Sequence, residues 1–147
     1  MFIKDFEIVN ENAEFPLIIG LNEAESSYLT LERFICALNN AGGGFIIVGA
    51  ERKNNRVWAN GINFSSSYEL QEKENEIFRS MTSIKPAFEF SVKKVLVHTN
   101  FIEKGDILAE ENRYCFRISV KPNPNKKYYV EILNKGYHTL YESYLLN

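Results

Sequence analysis

Residues 39–51 read Asn-Asn-Ala-Gly-Gly-Gly-Phe-Ile-Ile-Val-Gly-Ala-Glu, and no other stretch restricts the fold as strongly. Upstream, Tyr28, Leu31, Phe34, Ile35 and Leu38 recur at three and four residues, the spacing that lines one helix face. The spacing predicts a helix over 26–39, with Ser26 or Ser27 as its cap. Three glycines then let the chain reverse, because glycine reaches left-handed conformations without a side-chain clash. Phe45 to Val48 has to be a buried strand, with a carboxylate, Glu51, at its exit. A phosphate-binding glycine loop has the opposite order, strand first and helix second, so that helix N–H groups face the phosphate. The glycines here serve the close packing of a helix end on a strand start.

Further elements follow from local patterns. Phe2 to Val9 reads as a short strand, and Phe15 to Gly20 as a buried one that starts or breaks at Pro16. Lys53-Asn54-Asn55 has turn chemistry, so Arg56 to Ile62 returns as the second arm of a hairpin that breaks at Asn60-Gly61. Ser66 and Glu69 form a capping box ahead of Leu70, Ile77, Phe78 and Met81, a second helix that Ile84-Lys85-Pro86 stops. Phe88, Phe90 and Val92 alternate in one phase and Val95 and Val97 in the other, which places a bulge or tight turn at Lys93-Lys94. Tyr114–Val120 and Tyr128–Leu133 are two more strands, and a short helix starts at Tyr141. The expected fold class is α+β, a mainly antiparallel sheet with two covering helices.

With 147 residues, 45% of them hydrophobic, residues 1–147 are expected to form a single domain. No apolar run approaches the ~20 residues of a membrane helix, and the acidic start is unlike a leader peptide, so no membrane association is expected. Cys36 and Cys115 lie in apolar stretches away from metal-type spacing, which suits a reducing compartment. The net charge of −2 hides an asymmetry: residues 1–32 carry seven acids and one base, residues 91–147 nine bases and six acids. A fold that joins these ends can set carboxylates for a cation beside lysines for a polyanion; two ordinary solvated faces are the simpler alternative.

Glu14 and Glu51 stand at the ends of two apolar strands, where two carboxylates can share a divalent cation, and equally where solvated acids are common. Glu7, Glu11, Glu23 and Glu25 add acids whose direction periodicity leaves open. His98 and His138 have no second ligand nearby and read as hydrogen-bonded strand or surface histidines. Lys126-Lys127-Tyr128-Tyr129 and Lys135-Gly136-Tyr137-His138 mix cations with rings, suited to phosphate contact and base stacking or to an ordinary sheet surface.

The chain resembles the Schlafen-type AlbA_2 domain over nearly its whole length. The family's acidic E-F-K step is similar to Ala13-Glu14-Phe15, its A-F-A-N-T-x-G-G helix end to Ala37 through Gly43, and its I-G-V-D strand end to Val48-Gly49-Ala50-Glu51. The later G-L/I, I-x-P and Y-Y-V steps are similar to Gly61-Ile62, Ile84-Lys85-Pro86 and Tyr128-Tyr129-Val130. Val9 stands at the family's first acid position and Pro16 at its lysine, leaving Glu11 as the nearby carboxylate. The resemblance implies a metal-dependent RNA endonuclease acting on structured RNA or small-RNA precursors, with Glu14, Glu51 and Glu11 catalytic. Glu14 and Glu51 would hold Mg²⁺ or Mn²⁺. It implies equally a non-catalytic subunit that binds RNA or scaffolds an active partner. Expected partners are RNA and a second Schlafen-like domain, in a homo- or heterodimer, in the cytoplasm or nucleus. The RNA-facing residues expected are Lys93, Lys94, Lys121, Lys126, Lys127 and Lys135. A near-neutral chain argues against tight independent binding of duplex DNA.

Overall fold

The computed structural model describes residues 2–3, 18–54, 56–101, 106–133 and 139–142. In chain order these hold β1 (Phe2–Ile3), β2 (Ile18–Leu21), a 3-10 turn (Ala24–Ser26), α1 (Tyr28–Asn40) and β3 (Gly44–Val48). The hairpin β4 (Ala50–Lys53) and β5 (Arg56–Ala59) comes next, then β6 (Ile62–Asn63) and α2 (Ser67–Thr82). β7 (Ile84–Lys85), β8 (Glu89–Phe101), β9 (Asp106–Lys121), β10 (Tyr129–Leu133) and β11 (Thr139–Glu142) complete the order. The main sheet runs β1-β8-β9-β3-β2, with β6 also on β9; β11-β10-β7 form a second sheet. Most pairings are antiparallel, while β2 lies parallel to β3 and β1 parallel to β8, so the fold is α+β as expected.

The 39–44 turn has a specific geometry. Gly43 N–H donates to Leu38 O (2.9 Å) and Gly42 N–H to Asn39 O (3.2 Å), with Gly42 at φ 100°, the glycine-ended closure that satisfies the last helix carbonyls. Its neighbour Gly43 meets a different demand: a Cβ there would stand 2.5 Å from Val120 O and 2.8 Å from Pro122 Cδ. Asn40 closes the corner. Its amide accepts from Tyr128 N–H (2.7 Å) and donates to Tyr128 O (2.9 Å), pairing like a strand residue and tying α1 to the start of β10.

Both faces of the main sheet are covered, by unequal layers. On one, Ile46 and Val48 of β3 and Phe116, Ile118 and Val120 of β9 pack with Leu31, Ile35 and Leu38 of α1 and Ile77 and Met81 of α2. On the other, Ile47, Val97 and Cys115 pack under Ala50 and Val57 of the β4–β5 hairpin. This two-sided cover accounts for the alternation without the bulge or tight turn expected at Lys93-Lys94. β8 runs unbroken through Lys93↔Arg117 and Lys94↔Phe116, and the register shift lies between Leu96 and His98. The change of phase after Val92 arises because Phe90 and Val92 face the helices while Val97 faces the hairpin. Lys93 and Lys94 therefore point to opposite faces.

The capping box is present with one displacement: Ser66 Oγ accepts from Glu69 N–H (3.2 Å), while the Glu69 carboxylate accepts from Ser65 N–H (3.0 Å). The Ser65 side chain and, after it, the Ser65 N–H hold the Glu69 carboxyl below the usual carboxylate range. At the other end of the chain, Tyr141 begins no helix; it lies in β11 opposite Glu131. Thr139–Glu142, with strand formers at Thr139 and Tyr141, pairs instead with the backbone edge of β10. The expected strand residues 4–9 and 15–17, including Pro16, lie outside the described residues.

Candidate functional site

The site is built around Gly49. Its N–H donates to Leu21 O at 2.7 Å, and its carbonyl accepts from Asn60 N–H (3.3 Å), Gly61 N–H (2.6 Å) and the Cys115 thiol (3.3 Å). Four segments thus meet on one residue. A Cβ on Gly49 would lie 3.2 Å from Tyr114 O, and its φ of 94° suits glycine alone, which accounts for the glycine of Val48-Gly49-Ala50-Glu51. The kink turns the chain from the buried β3 into the hairpin and delivers Glu51 two residues on.

In the hairpin, Glu51 stands opposite Trp58 and Lys53 opposite Arg56, so these four share the outer face while Ala50, Val57 and Ala59 face the sheet. The Glu51 side chain is 40% exposed. Asn60 Nδ2 donates to its Oε1 at 3.3 Å, and Lys53 Nζ lies 3.3 Å from its Oε2. Glu51 lines a cavity of about 400 Å³ together with Asn22, Glu23, Ala24, Gly49, Asn60 and Gly61. A second of about 250 Å³ is lined by Glu51, Lys53, Trp58, Ala59 and Asn60.

Of the N-terminal acids, Glu23 reaches this place, because β2 ends alongside the end of β3, with Leu21 opposite Val48, and the chain emerges beside Gly49. Glu25 is engaged elsewhere: its carboxylate pairs with Arg52, whose guanidinium also lies 6.0 Å from the Phe34 ring, fastening the hairpin to the segment before α1. Glu23 also lines a larger cleft of about 510 Å³ with Phe64, Glu69, Glu72, Lys73, Glu76 and Arg79. There Lys73 Nζ donates to Ser26 O at 2.6 Å, and burial pushes its ammonium below the ordinary range against the opposing pull of Glu76 and Glu23.

Glu11, Glu14 and Lys135 lie outside the described residues. Lys94 is paired with Glu74 of α2 at 3.3 Å. Lys93 is exposed on the hairpin side of the sheet, beside Arg117, whose guanidinium stacks 4.3 Å from the Phe45 ring. Lys121 ends β9, and Lys126 and Lys127 are exposed on the loop that follows. None of the described lysines among them lines either cavity beside Glu51; the cations of the outer hairpin face are Lys53 and Arg56. Those residues were within reach of the sequence: a turn at 54–55 fixes the register that sets Glu51 against Trp58. Glu23 was not, since its place depends on the parallel pairing of β2 with β3.

Among the described residues no three His, Cys, Asp or Glu side chains converge as a metal cluster. The donors present still have the right chemistry for a hard cation: Glu51 keeps lone pairs open beyond two long contacts, the Asn60 amide adjoins it, and Glu23 lines the same cavity. Mg²⁺ binds commonly through one or two carboxylates and retained waters. No helix among the described residues is long and apolar enough to cross a membrane. The family model described as Schlafen, AlbA_2 matches residues 10–142. No curated protein matches the chain.

Proposed function

Because this chain belongs to the Schlafen, AlbA_2 family, we propose that it cleaves phosphodiester bonds of structured or precursor RNA with the help of Mg²⁺ or Mn²⁺, in the cytoplasm or nucleus. The observation that carries this reading is Glu51: a half-exposed carboxylate that lines two cavities just after the Gly49 kink, with an amide and an ammonium on its oxygens. Glu51 would hold the cation together with Glu23 or with Glu14, and Glu11 would supply the third acid. A divalent cation bound there supplies charge neutralisation at the scissile phosphate. Asn60 would fix the carboxylate orientation through its bond to one oxygen, and the Lys53 ammonium beside the other would meet a phosphate oxygen. Lys93, Lys121, Lys126 and Lys127 would extend phosphate contact beyond the cleft. The direct check is cleavage of a transfer-RNA-like substrate with Mn²⁺. Glu51→Ala is expected to lower the rate at least 100-fold, and an unchanged rate removes Glu51 from the reaction.

One observation favours a second reading, a non-catalytic subunit that binds RNA for an active Schlafen-like partner: Lys53 and Asn60 already engage both Glu51 oxygens. On that reading the double variant Glu14→Ala/Glu51→Ala keeps both assembly with the partner and the activity of the complex. On the catalytic reading the double variant assembles and does not cut.

A further inference from the structure

The outer face of the β4–β5 hairpin holds more than the carboxylate. Trp58, the single tryptophan of the chain, is directly opposite Glu51 in the antiparallel register, and the two line one cavity. Its indole N–H donates to Lys53 O at 3.4 Å, which ties the ring to its own ribbon. Lys53 and Arg56 form the next cross-strand pair on the same face, one step toward the turn. Adjacent strands lie ~4.8 Å apart and same-face neighbours ~6.8 Å apart along a strand, so ring, carboxylate and both cations fall within the span of one nucleotide. The cavity of about 250 Å³ is below the ~300–1,000 Å³ typical of clefts that enclose a whole ligand, and suits the cover of one flat ring.

We propose that Trp58 is a base-stacking residue: it takes one unpaired nucleobase of single-stranded RNA against its ring and thereby presents the adjoining phosphate to Lys53, Arg56 and Glu51. This deepens the nuclease reading and rests on it. An aromatic face accepts any base, so the specificity it confers is for unpaired RNA, a loop or an overhang, over a closed duplex. Half-buried rather than buried, the ring is packed enough to be held and open enough to be stacked upon. Its position beside Glu51 sets which phosphate reaches the carboxylate, so the ring selects the bond as well as the strand.

The lone tryptophan makes the test direct, because all indole fluorescence of the chain comes from this site. The full chain is titrated, without added divalent cation, with a 10-nucleotide single-stranded RNA and with an abasic strand of equal length. We expect the RNA to quench the fluorescence by half or more and the abasic strand to leave it unchanged. In anisotropy measurements with labelled RNA, Trp58→Ala is expected to weaken binding about tenfold, and Trp58→Phe, which keeps a ring, by about threefold or less. RNA that binds without altering the fluorescence, or binds no better than the abasic strand, overturns the stacking site and leaves the nuclease reading in place. RNA that does not bind at all overturns both.

Discussion

The two faces of the central sheet differ in what they are built to do. The helix side carries a continuous core from Leu31 and Ile35 through Phe116 and Ile118 to Met81 and Tyr128, with Phe64 edge-on to Phe116 at 6.1 Å. The hairpin side carries a few small or medium side chains under a four-residue ribbon. Every residue proposed to meet RNA or a cation in the described structure, apart from the surface lysines, stands on or beside that thin layer. The difference teaches that this fold concentrates its stability on one face, leaving the other free to hold polar, half-exposed groups at the cost of little core.

That contrast can be broken by substitution. Phe116→Ala empties a wholly buried ring site on the helix side and is expected to cost about 3–5 kcal/mol in chemical denaturation, enough to unfold a marginal domain. A loss below 1 kcal/mol would mean the helix-side core is not where stability resides. Asn40→Ala removes both side-chain bonds to the Tyr128 peptide at the edge of the same core, and we expect roughly 1–3 kcal/mol. On the hairpin side, Val57→Ala removes two buried methyl groups, about 1.5 kcal/mol at ~0.8 each. The sharper readout there is hydrogen exchange, in which 50–59 should open before α1 and α2. Arg52→Ala breaks a partly exposed pair with Glu25 and should cost less than about 1 kcal/mol, seen mainly as faster hairpin exchange.

The Cys115 thiol offers a pH-dependent probe of the thin layer. Burial pushes its pKa up from 9.0 to about 12, against weaker opposing bonds from Gly61 and Asn60. In the unfolded chain the thiol loses its proton near pH 9, whereas in the fold it keeps it until about 12. Its contribution is therefore complete below pH 9 and disappears as pH rises from 9 to about 12, at about 1.4 kcal/mol per pH unit. Wild type should lose stability across that window faster than Cys115→Ala, and parallel curves would show that the hairpin fails to seal this face.

Much of the fold was written locally. The heptad-like spacing of 28–38, the glycine turn and the Ser66–Glu69 cap each act over a few residues, and each is found where those residues place it, as is the pairing of Lys53 with Arg56. What local pattern could not convey was which layer covers each end of a long strand. The phase change at Val95 mimics a bulge in a strand covered on one face only, and the adjacent Lys93 and Lys94 part company, one facing the hairpin and the other reaching Glu74. At the site, Glu51 was legible from the strand and its kink. Trp58 and Lys53 followed from the turn but needed the register to be applied, and Glu23 arrives only through the pairing of β2 with β3, a contact between residues far apart in sequence.

A cation held by Glu51 is the feature on which the proposed chemistry depends. Mn²⁺ binding counted by electron paramagnetic resonance, on wild type and Glu51→Gln at equal thermal stability, measures that without requiring any RNA. We predict at least tenfold weaker Mn²⁺ binding for Glu51→Gln; equal binding by the two proteins would contradict the central claim.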